Sequence, residues 1–268
     1  MNNLISVINS VSGAKHNLPF SVYSSIKEQH LLNVPVVKPL LIAILSGDKE
    51  LGLDGEIRCH AGDFIFLSDS PTINMRNIPK DKAYFALLIE FDYQDFAGIE
   101  RHAVNKHNYC LGEITQPLEK CLQQFVECSA WAPEALWSMR RKELIQLLCH
   151  MGHQEILSLV ALPQVRHKLH SIISQQHEQE LSIENICQQL AMSESTLRRK
   201  LKSEGTTIQE IKDQVKLGLG LHLLQTTDYS ISLISEKCGY HSQSRFSARF
   251  KGRFGLTPSQ LRKTKMTD

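Results

Sequence analysis

The chain has 268 residues, 42% of them hydrophobic and 22% charged, a composition ordinary for a globular protein with a substantial core. No apolar run approaches the roughly 20 residues that span a bilayer, and the first residues lack the basic start and cleavage site of a signal peptide, so we expect a cytoplasmic protein with no membrane partner. Residues 1–162 carry 14 Lys and Arg against 18 Asp and Glu, whereas residues 163–268 carry 16 against 10. The first part thus has a net charge of −4 and the second a net charge of +6. This difference favours a polyanion as a partner of the second part and not of the first.

Apolar segments with a period of two residues fill much of the first hundred residues. Val36–Leu45 is rich in β-formers and ends at the turn signal Ser46-Gly47-Asp48. Ile57–Leu67 is interpreted as a strand, an Ala61-Gly62-Asp63 turn and a second strand, and Tyr84–Phe91 as a further strand. Short strands at this spacing predict a small antiparallel barrel or sandwich.

Two amphipathic helices are predicted between about residues 113 and 151. The first covers 113–128 and the second 133–151, and each has one apolar face. These faces consist of Ile114, Leu118, Cys121, Leu122 and Phe125 in the first helix and of Trp137, Leu144, Leu147, Leu148 and Met151 in the second. Such faces usually belong to a domain core, whereas an exposed apolar face marks an interface. Both uses stay open here.

The basic half contains an internal repeat, residues 181–205 and 229–255. Four apolar positions of the first copy recur 48 or 49 residues later: Ile183, Ile186, Leu197 and Leu201 correspond to Ile231, Ile234, Phe246 and Phe250. Serines suited to cap a helix precede both helices of each copy, at Ser182, Ser193, Ser230 and Ser242. Gly205 can end the second helix of the first copy, and Gly239 permits a tight turn in the second. Two short helices joined by such a turn form a helix-turn-helix unit, whose second helix enters the major groove of DNA.

The second helix of each unit presents polar and basic residues outward. In the first unit these are Ser195, Thr196, Arg198, Arg199, Lys200 and Lys202; in the second they are Gln243, Ser244, Arg245, Ser247, Arg249 and Lys251. Gln and Arg near a helix N-terminus suit base edges, whereas later Lys and Arg suit phosphates. We expect Gln243 and Arg245 to be stronger base readers than Thr196 and Arg198.

The segment from about Leu181 to Arg262 resembles the regulators of the AraC/XylS type. The densest match lies in the second unit, at Gly239-Tyr240, Ser244-Arg245-Phe246, Phe250-Lys251, Phe254-Gly255 and Thr257-Pro258. The connector between the units departs from the family pattern, because Gly218 and Gly220 occupy a helix interior, where each costs roughly 1 kcal/mol relative to Ala. We expect these glycines to make the connector more flexible.

This resemblance implies an α+β protein with a cupin-like β-barrel followed by two helices, and an all-α domain of two helix-turn-helix motifs joined by a linker helix. The expected boundaries are a sensor and dimerisation domain at 1–155, a linker at 156–165 and a DNA-binding domain at 166–268, with helix-turn-helix motifs at about 182–205 and 230–255. The helices after the barrel often form the dimer contact in this family, so the resemblance implies a homodimer.

The barrel shows no sign of a metal enzyme. A metal cupin needs two or three His and a carboxylate at one ion, but His60 stands alone before the Ala-Gly-Asp turn. The seven cysteines form no Cys-x-x-Cys pair, and most lie in apolar company, which is typical of buried structural thiols; redox sensing is the alternative interpretation. No motif for hydrolysis or phosphate binding is present. We predict no enzymatic activity, no metal and no cofactor, with a cupin enzyme as a remote alternative.

The sequence therefore predicts a transcription regulator that binds double-stranded promoter DNA. The resemblance implies an activator that acts with RNA polymerase and is controlled by a small-molecule effector, such as a fatty acid or another carboxylate. A carboxylate in a partly buried site needs a cation. The candidates are Lys38, Arg58, His60, Arg76, Lys212 and Lys216. The alternative is a regulator without a ligand, whose first domain only dimerises.

Overall fold

The computed structural model describes residues 1–12, 18–68, 70–99, 109–160, 164–176 and 181–265. Their strands are β1 (Ser21–Ser25), β2 (Gln29–Val36), β3 (Leu40–Ser46), β4 (Asp48–Leu51), β5 (Ile57–Cys59), β6 (Asp63–Leu67), β7 (Ser70–Ile78), β8 (Tyr84–Glu90) and β9 (Tyr109–Glu113). Their α-helices are α1 (Asn2–Ser12), α2 (Gln116–Ser129), α3 (Trp137–His150), α4 (Ile156–Leu159), α5 (Val165–Gln175), α6 (Ile183–Gln189), α7 (Glu194–Ser203), α8 (Ile208–Thr226), α9 (Ile231–Lys237), α10 (Gln243–Phe254) and α11 (Pro258–Arg262). Among these helices, none is both long and apolar enough to cross a membrane.

The strands form two antiparallel sheets that face each other as a barrel. One sheet has the order β1-β8-β3-β6-β9 and the other the order β2-β7-β4-β5. The side chains between them form the barrel core: Val36, Ile42, Ile44, Leu51, Cys59, Ile65, Leu67, Met75, Tyr84 and Ala86. The predicted α+β architecture, with an antiparallel barrel before an all-helical part, is confirmed.

Strand β3 is buried on both faces, which explains its unbroken apolar sequence. Ile42 and Ile44 point into the barrel core, whereas Leu41, Ala43 and Leu45 point to the other side of the sheet. Successive side chains of a strand alternate between faces, so a strand covered on both sides needs apolar residues throughout.

The outer face of this sheet is covered by α1, α2, α3 and α4. Apart from Trp137, the apolar faces predicted for α2 and α3 lie in this helix-side core, where Leu118, Leu122, Phe125, Leu144 and Leu148 are buried. Of the two possible uses of these faces, domain core or interface, the structure shows the first for these residues. At the corner between α2 and α3, by contrast, large apolar side chains are exposed: Trp131 is 69% exposed and Met139 66%.

Some predicted boundaries are corrected. The segment predicted as one strand at 36–45 contains the end of β2 and most of β3, because Val37–Pro39 interrupts it and Pro39 has no N–H to donate. Glu113 belongs to β9, and α2 begins only at Gln116, with Pro117 in its first turn, where a proline is tolerated.

The expected linker at 156–165 is partly folded. Ile156, Leu157 and Val160 are buried in the helix-side core, so the first domain packs as far as residue 160. Residues 161–163 lie outside the described part of the chain, and α5 begins at Val165.

The helical half contains two cores joined by one long helix. Unit 1 (α6 and α7) surrounds a core of Leu169, Ile173, Leu181, Ile186, Leu197, Leu201, Ile211 and Val215. Unit 2 (α9 and α10) surrounds a core of Leu31, Leu217, Leu221, Leu224, Ile234, Cys238, Phe246, Phe250, Phe254 and Leu261. Helix α8 contributes its first half to one core and its second half to the other, so it fixes the distance between the units.

Candidate DNA-binding surface

Each of the four helices in units 1 and 2 is preceded by the serine that the sequence predicts as its N-cap. The hydroxyl oxygens of Ser182, Ser193, Ser230 and Ser242 accept the backbone N–H three residues later at 3.2, 3.3, 3.2 and 3.2 Å. These bonds satisfy donors that a helix start leaves unpaired, at about 1 kcal/mol each. The capped second helices thereby have defined first turns, which are the parts that meet base edges in helix-turn-helix proteins.

The turns between the helices differ in one residue. Gly239 in unit 2 has φ +69°, as its sequence suggests, but the corresponding left-handed residue of unit 1 is Ala191, with φ +51°. A left-handed conformation costs an L-residue with a Cβ roughly 1–2 kcal/mol. Unit 1 therefore has a strained turn that unit 2 lacks.

Helix α7 presents its predicted contact residues to solvent while Leu197 and Leu201 face the core. Ser195, Arg198, Arg199, Lys200 and Lys202 are exposed and Thr196 is half-buried. Arg198 forms an ion pair with Glu194 one turn earlier, at 2.7 Å. An exposed pair of this kind contributes little to stability and is easily exchanged for a phosphate or a base edge.

Helix α10 likewise presents its predicted contact residues to solvent, and the residues on its buried face are larger than those of α7. Gln243, Ser244, Arg245, Arg249 and Lys251 are exposed, Ser247 is half-buried, and Phe246, Phe250 and Phe254 are buried at successive turns. Arg249 donates to Asp213 of α8 at 2.5 Å, whereas Arg245 has no ion-pair partner among the described residues. Arg245 is therefore better placed than Arg249 to contact DNA.

Gly220 has a packing role in the connector. A Cβ at this position would lie 2.8 Å from Cε2 of Phe246 and 2.9 Å from its Cζ, so only glycine lets α8 and α10 approach so closely. Gly218 faces Pro35 of β2, where the nearest atom would be 3.9 Å from a Cβ. Helix α8 is continuous through both glycines, so Gly220 here holds unit 2 against the connector.

The six candidate effector cations are not brought together. On the barrel, Lys38 pairs with Asp92, Arg58 with Glu50, His60 with Asp48, and Arg76 with Glu28 and Glu50. In the helical half, Lys212 donates to the carbonyl of Leu181 and Lys216 to that of Gly239. Each candidate thus already has a protein partner, and although Arg58 and Arg76 share Glu50, the six do not meet at one site.

A buried polar path, which no pattern in the sequence indicates, runs from the barrel to α8. Lys49 is 4% exposed, and its ammonium donates to Oδ1 of Asn77 at 2.7 Å. Asn77 donates to Oε1 of Gln29 at 2.9 Å, and the same oxygen accepts Nε2 of Gln225 in α8 at 3.0 Å. Gln29 also donates to the hydroxyl of Thr264 after α11, at 2.8 Å. Burial lowers the pKa of Lys49 to about 8.

The barrel meets unit 2 through further contacts of β2. Arg253 at the end of α10 donates to the carbonyl of Asn33 at 2.9 Å, and Asn33 donates back to the carbonyl of Arg253 at 3.3 Å. Leu31 of β2 belongs to the unit 2 core. Unit 2 and the barrel therefore share both a core and a hydrogen-bond network.

Unit 1 instead faces the barrel across a cleft of about 260 Å³. Val36, Val37 and Thr72 line it on the barrel side, and Arg166, His167, His170 and Glu204 are among the residues that line it on the helical side. Burial, together with the charge of Lys38, lowers the pKa of His170 to about 4. The cleft combines apolar walls with two guanidinium groups, those of Arg166 and Arg253, and two carboxylates, those of Glu204 and Glu210.

Comparison with known proteins supports both halves of this description. A family model described as a helix-turn-helix domain matches residues 186–264. The urease operon transcriptional activator of Escherichia coli is 33% identical over 91 residues, which are 34% of this chain and 31% of the activator. The transcriptional regulator GadX of Escherichia coli K12 is 30% identical over 105 residues, 39% of this chain and 38% of GadX. The chain thus matches about a third of the length of these relatives.

Solved structures extend the likeness to the whole fold. A crystal structure of an apo variant of ToxT from Vibrio cholerae has a TM-score of 0.68 at 16% identity and covers 94% of this chain and 100% of that one. Wild-type ToxT with a bound unsaturated fatty acid has a TM-score of 0.65 at 15% identity and covers 94% of this chain and 98% of ToxT. At these identities the likeness shows that the fold is shared.

Proposed function

The C-terminal part of this chain is a helix-turn-helix domain of the AraC type, and from that premise we propose that the protein is a sequence-specific transcription regulator of bacterial promoters. The observation that carries the proposal is the duplicated, serine-capped helix-turn-helix with an exposed basic face on each second helix. Within the cytoplasm such a protein acts on double-stranded DNA. We propose activation through contact with RNA polymerase as its mode of action.

The length of α8 supports the insertion of both units into one face of the duplex. Its 19 residues span about 28 Å at 1.5 Å per residue. Successive major grooves on one face of DNA lie about 34 Å apart. With the units packed on opposite ends of the helix, this length suits two adjacent turns.

Salt dependence tests the DNA-binding proposal. A duplex site selected from a random-sequence library is titrated with the protein at several salt concentrations, and log Kd is expected to rise linearly with log salt as phosphate contacts release counterions. Lys251→Ala should reduce the slope by about 1. Lys120→Ala, at an exposed lysine of α2, is the matched control and leaves the slope unchanged. Specific binding that does not respond to salt contradicts the proposal.

Arg245 is the residue we propose as the principal base reader. Arg245→Ala should weaken binding to the selected site by about 1–3 kcal/mol and relax the preference at one or two base positions. Repeating the site selection with the variant measures this directly. If the selected sequence keeps every preference, Arg245 does not read bases.

We propose that a carboxylate effector, such as a fatty acid, binds in the cleft between the barrel and unit 1. The valines of the cleft suit an apolar tail, and the guanidinium groups of Arg166 and Arg253 in its lining suit a carboxylate head group. ToxT, which shares the fold, has been crystallised with an unsaturated fatty acid. Among the candidate cations, Lys38 has the best support, because it directly follows Val36 and Val37, which line the cleft.

Native mass spectrometry tests the effector proposal on the purified full chain, before and after addition of oleate. We expect a bound carboxylate whose retention falls in Lys38→Ala and persists in Arg58→Ala, the control on β5, which lies at the other edge of the four-stranded sheet from β2. A chain that holds no ligand, and whose DNA binding is unchanged by oleate, supports the alternative of a regulator whose first domain only dimerises.

For the homodimer, we propose a contact at the corner between α2 and α3. Trp131 and Met139 are exposed there beside Leu136, which is 39% exposed, and large apolar side chains that share an exposed surface mark an interface. Sedimentation analysis of Trp131→Glu against Leu53→Glu, at an exposed leucine of the barrel, tests it. An unchanged dimer in Trp131→Glu places the contact elsewhere.

A further inference from the structure

A cluster of three potential metal ligands lies at the edge of the barrel farthest from β1. Cys110 is in β9, the last strand of the five-stranded sheet, and His153 and Glu155 are in the connection between α3 and α4. Their ligand atoms all lie within 4.8 Å of one another. The cluster is outside the DNA-binding surface and the cleft, so the proposed function makes no use of it.

The spacing of the three ligand atoms matches one face of a zinc tetrahedron. Sγ of Cys110 is 3.6 Å from Nδ1 of His153 and 3.0 Å from Oε1 of Glu155, and these last two atoms are 3.7 Å apart. Zinc bonds of roughly 2.3 Å to sulfur and 2.0–2.2 Å to nitrogen and oxygen, at tetrahedral angles, require separations of roughly 3.2–3.6 Å. The ligand atoms need to move by only about half an ångström to meet this requirement.

The surrounding residues hold the imidazole of His153 in this position. The ring packs edge-on against Phe64, with centroids 5.0 Å apart. Gly112, two residues after Cys110, makes room for it, since a Cβ there would lie 2.6 Å from Cε1 of His153. The backbone N–H of His153 donates to the carbonyl of Leu148 at 3.0 Å. A side chain with so little freedom loses little entropy when it binds a metal.

Access and charge also suit a cation. Cys110 is buried, whereas the side chains of His153 and Glu155 are 21% and 32% exposed, so an ion reaches the thiol between them from solvent. The set offers sulfur, nitrogen and one carboxylate oxygen, a combination that favours zinc over the oxygen-seeking Mg²⁺ and Ca²⁺.

We propose that Cys110, His153 and Glu155 bind one Zn²⁺ ion, with a fourth coordination position open to solvent. As the sulfur–zinc bond forms, the thiol proton that Glu155 accepts in the metal-free chain leaves to solvent. The ion joins β9 to the connection between α3 and α4, immediately before the chain leaves the barrel domain. Zinc thus stabilises the end of the barrel domain from which the DNA-binding domain extends.

Zinc binding to the purified full chain, by competition with a chromophoric chelator, tests the proposal. We expect one tightly bound Zn²⁺ per chain and at least a tenfold loss of affinity in Cys110→Ser, His153→Gln and Glu155→Gln. Cys187→Ser is the matched control, because Cys187 is a partly exposed thiol of α6 in the DNA-binding domain. His60→Ala, which removes the imidazole that pairs with Asp48, is a second control and should keep the zinc affinity of the wild type.

Cobalt substitution gives a second measurement that does not depend on the stability of the variants. Co²⁺ bound to the wild-type chain should show the visible bands of a four-coordinate site and a thiolate charge-transfer band. Glu155→Gln, which keeps the size and a hydrogen-bonding oxygen, should weaken Co²⁺ binding while retaining the far-ultraviolet circular dichroism of the wild type. Failure to bind Zn²⁺, binding unaffected by Cys110→Ser, or a cobalt spectrum without a thiolate band overturns the proposal.

Discussion

The two helix-turn-helix units have the same plan, yet they meet the rest of the molecule in different ways. Unit 2 shares its core with Leu31 of β2, and Arg253 of its second helix exchanges hydrogen bonds with Asn33 of the same strand. Unit 1 has a core of its own and faces the barrel across a cleft. Unit 2 is thus an extension of the barrel, whereas unit 1 is held mainly by α8 and by the walls of the cleft.

Because of this difference, an effector that binds in the cleft can change the affinity of the protein for DNA. A ligand in the cleft contacts the end of α7 in unit 1, and on the side of unit 2 it meets Arg253 of α10, whose guanidinium already donates to the carbonyl of Asn33 in β2. A change in occupancy therefore shifts unit 1 relative to a unit 2 that stays fixed to the barrel. Because both units must enter neighbouring grooves together, a small change in their relative position alters the affinity for a two-turn site.

The largest expected effect concerns the cores. Phe250→Ala should destabilise unit 2 by about 3–5 kcal/mol, because it leaves a cavity between Phe246 and Phe254, whose rings pack against that of Phe250. Since Leu31 belongs to the same core, amide hydrogen exchange should speed up in β2 as well as in α9 and α10. Leu201→Ala, the matched change in unit 1, should speed exchange in α6 and α7 and leave β2 protected. Equal effects of both variants on β2 would remove the distinction between the units.

The next effect concerns Lys49, at the barrel end of the polar path to unit 2. Burial lowers its pKa from 10.5 to about 8, so between these values the unfolded chain binds a proton that the folded chain has released. The contribution of Lys49 to the free energy of unfolding therefore rises with pH over this window, by roughly 3 kcal/mol at about 1.4 kcal/mol per pH unit, whereas buried thiols such as that of Cys59, whose pKa burial raises, act in the opposite direction. Lys49→Met should lack this gain in urea titrations at pH 8 and pH 10.5. Lys120→Met, at an exposed lysine, retains it; a gain that survives in Lys49→Met assigns it to another group.

The helix-turn-helix units were predictable because their signals are local. A serine three residues before a backbone donor is visible in the sequence, and so is the left-handed Gly239. Ala191 was not predictable in this way, because nothing about an alanine indicates a positive φ. The tertiary fold imposes that conformation, since both helices of unit 1 must pack on one core.

The polar path and the metal cluster depend on contacts between distant residues. In the sequence, Lys49 follows the turn signal at residues 46–48 and looks like part of a loop. In the structure, however, residues 48–51 form β4, which pairs with β7. Lys49 therefore lies on the same inward face of this strand as Leu51. Cys110 lies 43 residues from His153, and only the packing of α3 and α4 against β9 brings them together.

The smallest expected effect compares the two turns themselves. Ala191→Gly relieves a left-handed residue that bears a Cβ and should stabilise unit 1 by about 1 kcal/mol, less the entropy that glycine adds to the unfolded chain. Gly239→Ala makes the opposite change at the equivalent place and should destabilise unit 2 by about the same amount. Hydrogen exchange of α6 and α9 measures each locally. If both substitutions destabilise, the packing around Ala191 outweighs its backbone strain, and the units differ less than their dihedral angles indicate.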